Sequence, residues 1–285
     1  MSEDIYGTDS FGKDFWALVE EVEKQSFPKI TEEAIRNIPF VHYPEIKEEE
    51  SYYIYKLEKL LLKLAKEEND SREAAFVYNM KASKKDLNLD KYNKQCMAYA
   101  FVKGSESEVD ISGDRKANKL INSTKEVVLV SMHNHPNNTT FSLNDCAFFL
   151  RNRNIKIFID IHQNGTVEYM ARTSKFNEQD AIRSFVGLVR DGVNQFIIEN
   201  KDELDKRIDN KDVLKNPISF IKNNQYKRMI PSYIRNDIVN KWIEKDLYYG
   251  LRRDEIGLSE TPEDEKQIKK LELKINKIKG GYHER

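Results

Sequence analysis

An α/β or α+β domain over about residues 47–173 is the fold this sequence predicts, and three observations predict it. A helical apolar period runs between Ile46 and Asn69. Short runs rich in β-branched and aromatic residues follow it, and an Asn-Gly pair between two of those runs marks a β-hairpin. The chain of 285 residues leaves room for substantial additions at both ends of such a domain.

Residues 1–46 read as an N-terminal arm. They hold a short amphipathic piece, FWALVEEVEKQSF, and three prolines, Pro28, Pro39 and Pro44, that interrupt regular structure. The first helix of the domain follows, with Ile54, Leu57, Leu61 and Leu64 on one face and Glu48, Glu49 and Glu50 where a helix N-terminus favours anions. AAFVY at 74–78 and MAYAFV at 97–102 read as buried strands. EVVLVSM at 126–132 is the clearest strand, and it delivers His133 at its end. After the loop composition NNTT, the apolar positions Leu143, Ala147, Phe148 and Leu150 suit a helix facing a sheet. IKIFIDI at 155–161 and TVEYMA at 166–171 are strands joined through Asn164 and Gly165.

Residues 174–285 read as a helical C-terminal region. Ile182, Phe185, Val186, Val189, Val193, Phe196 and Ile197 mark a long amphipathic helix, weakened by Gly187 and Gly192. Breaks are expected at Pro217, Pro231 and Pro262, and the charged tail from Glu263 to Lys279 carries a thin line of Ile268, Leu271, Ile275 and Ile278. This region suits a substrate lid, an oligomerisation surface or a docking arm for a protein partner.

Composition narrows the function. With 47 Lys and Arg against 48 Asp and Glu, the formal net charge is −1, which argues against a nucleic-acid binder. Two cysteines, Cys96 and Cys146, are too few for a disulfide framework and fit a reducing compartment. The start MSEDIYGTDS lacks a secretory pattern, and no apolar run approaches the ~20 residues that span a bilayer. A cytoplasmic protein without a membrane partner is the expectation.

The chemistry concentrates in VSMHNHPNNTTFSLND at 130–145. Side chains alternate along a strand, so His133 and His135 face the same side and can grip one ion together. With Asp145 they supply the three protein ligands of a catalytic zinc site, leaving a position for water. Each part has a plainer reading: Ser142 and Asp145 form a capping-box pattern, and His-x-His on a strand end can be packing alone. Their conjunction where a strand ends and a helix begins, a common place for ligands in open sheets, favours Zn²⁺. Asn134 points away from the two histidines and reads as loop support, Cys146 reads as a core thiol, and His162 reads as a turn residue.

His133, Asn134, His135 and Pro136 followed by Ser142 and Asp145 resemble the JAMM (MPN+, JAB) zinc metalloprotease motif, in its bacterial or phage branch with RadC-like proteins. The resemblance covers about residues 47–173 and implies a curved mixed sheet flanked by helices, in a cytidine-deaminase-like layering. It also implies a glutamate near the start of the first core strand, where this chain has Glu73; Glu67 and Glu68 sit on a solvated helix face, and Glu168 is a weaker candidate. On that resemblance Glu73 is the general base and Ser142 the donor to the oxyanion. The implied activity is hydrolysis of an amide or isopeptide bond in a protein or peptide, many members acting on ubiquitin-like conjugates. Two alternatives remain: a RadC-like module that binds DNA or protein with little hydrolysis, and a hydrolase of another amide.

Overall fold

The structure, a computed structural model, describes residues 28–43, 45–106, 108–136, 138–223, 226, 229–243, 251–256 and 262–280. The expected amphipathic piece at 15–27 and His283 lie outside the described residues. A mixed sheet flanked by helices on both faces forms the centre. Its strands are β1 (Ala74–Asn79), β2 (Tyr99–Lys103), β3 (Leu129–His135), β4 (Ile155–His162), β5 (Val167–Arg172) and β6 (Leu251–Ile256), in the order β2-β1-β3-β4-β5-β6. Only β3 and β4 run parallel; every other neighbouring pair is antiparallel.

Helix α1 (Glu32–Asn37) begins at Thr31, whose side chain accepts from the Ala34 N–H. Helix α2 (Glu48–Glu68) carries the expected stripe of Ile54, Leu57, Leu61 and Leu64 against Phe76 and Tyr78 of β1, Met132 of β3 and Ile159 of β4. Each such fully buried aliphatic contributes ~1.5–3 kcal/mol. Tyr52, Leu60 and Leu62, off that stripe, are buried as well, and the C-terminal helix α10 (Pro262–Gly280) joins the same apolar cluster through Ile268, Leu271 and Ile275. Tyr52 donates to Glu272 across that contact at 3.1 Å. The spacer at 79–96 packs here too, through Leu87, Leu89 and Cys96.

The other face is covered by α3 (Arg115–Ser123), α4 (Leu143–Arg151), α5 (Glu178–Glu199) and α9 (Ser232–Ile243). Three short helices, α6 (Lys201–Arg207), α7 (Lys211–Lys215) and α8 (Pro217–Lys222), close a separate small cluster around Phe196, Leu204 and Phe220. The prolines do not merely break helices: Pro217 and Pro262 are first helical residues and Pro231 directly precedes α9, where a missing N–H is harmless. Gly165, at φ +94°, makes the expected hairpin turn between β4 and β5.

Two departures from expectation stand out. The segment at 105–122, to which the sequence assigns no element, contains α3, capped by Asp114 accepting from the Lys116 and Ala117 N–H groups; its buried stripe of Ala117, Leu120 and Ile121 is thin among polar residues. The C-terminal region is not helical throughout. Its LRRDEI forms β6 on the β5 edge, with Val167 opposite Ile256, because an open edge takes a strand by backbone pairing that needs no apolar alternation.

Candidate metal centre

One end of the sheet gathers the polar residues. β3 and β4 are parallel, so their C-terminal ends lie side by side, with His133 opposite Asp160 and His135 opposite His162. Antiparallel neighbours bring their starts to the same end: Ala75 of β1 pairs with His133, and Glu168 of β5 pairs with Asp160. Glu73 lies two residues before Ala75 and continues the β1–β2 ladder through Glu73 N to Ser105 O and Gly104 N to Glu73 O, so it shares the face of His133. The competing Glu67 and Glu68 are exposed, as expected.

Helix α4 brings Asp145 over this face. Ser142 caps it reciprocally: its Oγ accepts from Asp145 N at 3.2 Å, and its own N–H donates to Asp145 Oδ2 at 2.7 Å. The far end of α4 is held by Arg172, which donates to the Phe149 and Asn152 carbonyls and to Ile155 O. The capping reading and the ligand reading of Ser142 and Asp145 are therefore compatible, since the second carboxylate oxygen stays available.

His133 Nε2 is 3.5 Å from Asp145 Oδ1, and His135 Nε2 is 3.5 Å from Asp145 Oδ2. Donors ~2.1 Å from a tetrahedral zinc stand roughly 3.4 Å apart, so both separations suit that ion. The two Nε2 atoms are 2.8 Å apart, an N–H···N separation, so one carries a proton that a bound cation displaces. His135 Nδ1 lies 2.6 Å from the Thr139 carbonyl, which can only accept; Nδ1 therefore carries a proton, and in the neutral ring Nε2 is the nitrogen with the lone pair. His133 stacks on Phe158 with ring centroids 5.1 Å apart, and the nearby Ile159 carbonyl does not reach hydrogen-bond geometry with its Nδ1.

The electrostatics favour positive charge here. Burial would lower the His135 pKa, but Asp160 and Asp145 outweigh it and raise it well above the usual value. Burial would raise Asp145, and His133, His135 and the Ser142 hydrogen bond hold it below the usual carboxylate range. His133, where burial dominates, is pushed down and stays neutral. Glu73 is pushed up to about 8, first by burial and then by Asp145, Asp160 and Glu108, against a lowering by His135. This field draws a proton or a cation to the imidazoles.

Asn134 faces away from the imidazoles, as expected. Its Oδ1 accepts from Ala74 N at 2.9 Å and its Nδ2 donates to Arg72 O at 3.3 Å, which fixes the chain on both sides of Glu73. Cys146 is buried in the apolar cluster of this face, also as expected.

His162 corrects its expectation as a turn residue. It ends β4, is buried, and points its Nε2 at Asp160 Oδ2, 3.3 Å away. Asp160, which carries no role in the motif, is fully buried at the centre of the site face. The sequence carried a signal: Asp160 and His162 repeat the i, i+2 spacing of His133 and His135 inside an apolar strand, and a buried charge is paired or binds metal. Glu168 is buried too and accepts from the Thr140 hydroxyl at 2.8 and 2.9 Å, remote in role from a free base. Among the described residues no helix is long and apolar enough to cross a membrane. No protein-family model, curated protein or solved structure matches this chain.

Proposed function

We propose that this chain is a zinc-dependent metallopeptidase of JAMM type that hydrolyses an amide or isopeptide bond in a protein substrate, ubiquitin-like conjugates among the candidates. The observation that carries the reading is the convergence of His133 Nε2, His135 Nε2 and Asp145 within 3.5 Å, with Glu73 buried on the same face of the adjoining strand. Held by these ligands, Zn²⁺ would supply Lewis acidity, polarising a carbonyl and bringing the pKa of water toward ~7.

The chain's own groups supply the rest. Glu73, with its pKa near 8, suits a group that takes a proton from water and returns it to the departing amine close to neutral pH. Ser142 Oγ accepts the Asp145 N–H, which leaves its hydroxyl proton to donate to the oxygen that gains charge on the scissile carbonyl. The Thr139 carbonyl keeps His135 in the tautomer that presents Nε2. Asn134 anchors the backbone on either side of Glu73 and so sets where its carboxylate stands.

The test is turnover by the zinc-loaded full chain on a panel of isopeptide-linked ubiquitin-like conjugates and unstructured peptides. Glu73→Gln should keep its zinc, read by elemental analysis, and lose roughly 10²–10⁴ in turnover. Undiminished turnover in that variant overturns the assignment of the base. Cleavage of no member of the panel by fully loaded protein overturns the peptidase reading.

A further inference from the structure

We propose that Asp160, His162 and Glu168 form a second divalent-cation site beside the one assigned to His133, His135 and Asp145. One ligand atom from each of the three lies within 4.8 Å of the other two, and all three residues are buried. The distinguishing observation is that both Asp160 carboxylate oxygens and His162 Nε2 are buried there and make no hydrogen bond.

Thr166 settles the tautomer of His162. Its hydroxyl donates to Asn164 Oδ1 at 2.5 Å, an oxygen fixed as acceptor because the Thr166 N–H donates to it as well. Toward His162 Nδ1, 2.9 Å away, Thr166 Oγ1 can then only accept, so Nδ1 carries the proton. In the neutral ring Nε2 presents a lone pair to Asp160 Oδ2 at 3.3 Å. Neither atom makes a hydrogen bond, and neither does Asp160 Oδ1. The other neighbouring imidazole divides its attraction: His135 Nδ1 lies 2.9 Å from Asp160 Oδ2 and 2.6 Å from the Thr139 carbonyl.

Two lone pairs facing each other in a buried pocket repel unless positive charge lies between them. A single proton on His162 offsets only one of the two carboxylates beside it, Asp160 and Glu168. Glu168, paired opposite Asp160 across β4 and β5, adds a second carboxylate to the same pocket, and a divalent cation matches both. The 3.3 Å separation of His162 Nε2 and Asp160 Oδ2 is close to the roughly 3.4 Å between donors on one zinc. One imidazole and two carboxylates suit Zn²⁺ or Mn²⁺.

The experiment loads the metal-stripped full chain with Zn²⁺, and in parallel with Mn²⁺, and counts bound metal by elemental analysis after dialysis. Two cations per chain are expected, falling to one in Glu168→Gln and in His162→Gln, and to one in His133→Ala. A wild-type chain that holds one cation and keeps it in Glu168→Gln overturns the proposal. Anomalous scattering from zinc-loaded crystals of the unaltered protein decides the case even if the variants fail to fold. A peak among Asp160, His162 and Glu168 supports the site, and its absence beside a peak at His133 overturns this site while leaving the peptidase reading standing. A peak here with none at His133 does the reverse.

Discussion

Glu58 shows how one buried carboxyl sets a pH dependence for the whole chain. It is fully buried on α2, takes a 2.7 Å hydrogen bond from the Tyr43 hydroxyl on Oε1, and has no hydrogen-bond partner on Oε2. Burial pushes its pKa up to about 7 from the ordinary 4.5. Below pH 4.5 the group is neutral in the folded and the unfolded chain and carries no penalty. As pH rises from 4.5 to 7 the unfolded chain ionises first, so stability falls, by about 3 kcal/mol in all, and then levels off. Urea unfolding at pH 5 and pH 8 should show this loss as one component of the wild-type pH profile and a profile flatter by about that amount in Glu58→Gln. Identical profiles would show that Glu58 does not carry it. Glu73, raised for the same reason, lies instead in the field of the imidazoles and aspartates of the site.

At the scale of elements, α4 ties packing to chemistry. Ser142 serves as its N-cap while Asp145, three residues on, reaches the two imidazoles. Ser142→Ala should therefore cost about 1 kcal/mol of stability from the lost cap, and a larger ~10²–10³ in turnover if the hydroxyl also serves the oxyanion. Ser142→Thr, which can cap and donate, should restore most of both. A turnover loss no greater than the stability loss explains would leave Ser142 as a cap only. Elements such as α2, β3 and α4 were legible because their signals are local: an apolar period of 3.6, a β-branched run, a capping pair. Helix α3 was not, because Ala117, Leu120 and Ile121 form too thin a stripe in a polar segment. Strand β4 was legible as a strand but not in its facing. The register shifts between Leu129 and Val130, so Ile155 packs on the site face while Ile157, Ile159 and Ile161 pack on the other.

Across the whole molecule, the C-terminal region completes the sheet's cover. Trp242 of α9 is fully buried, donates to Ala181 O of α5 at 3.1 Å and meets Phe185 edge-on with centroids 5.1 Å apart. Trp242→Ala should cost about 3–5 kcal/mol, read as a fall in the urea midpoint, with zinc affinity of the remaining folded protein little changed. A loss under 1 kcal/mol would mean that α9 is not a structural cover for this face. On the opposite side α10 covers α2, so segments far apart in sequence close both layers.

The sequence by itself determined that His133 and His135 share one face of a strand and that Ser142 caps the helix carrying Asp145, because strand alternation and a helix cap act between residues a few positions apart. Only the tertiary structure decided that Asp160, His162 and Glu168 join them and that LRRDEI becomes a strand. Those placements depend on which strands pair, in which direction and in what register, and pairing is set by the burial of whole faces rather than by any short stretch of chain.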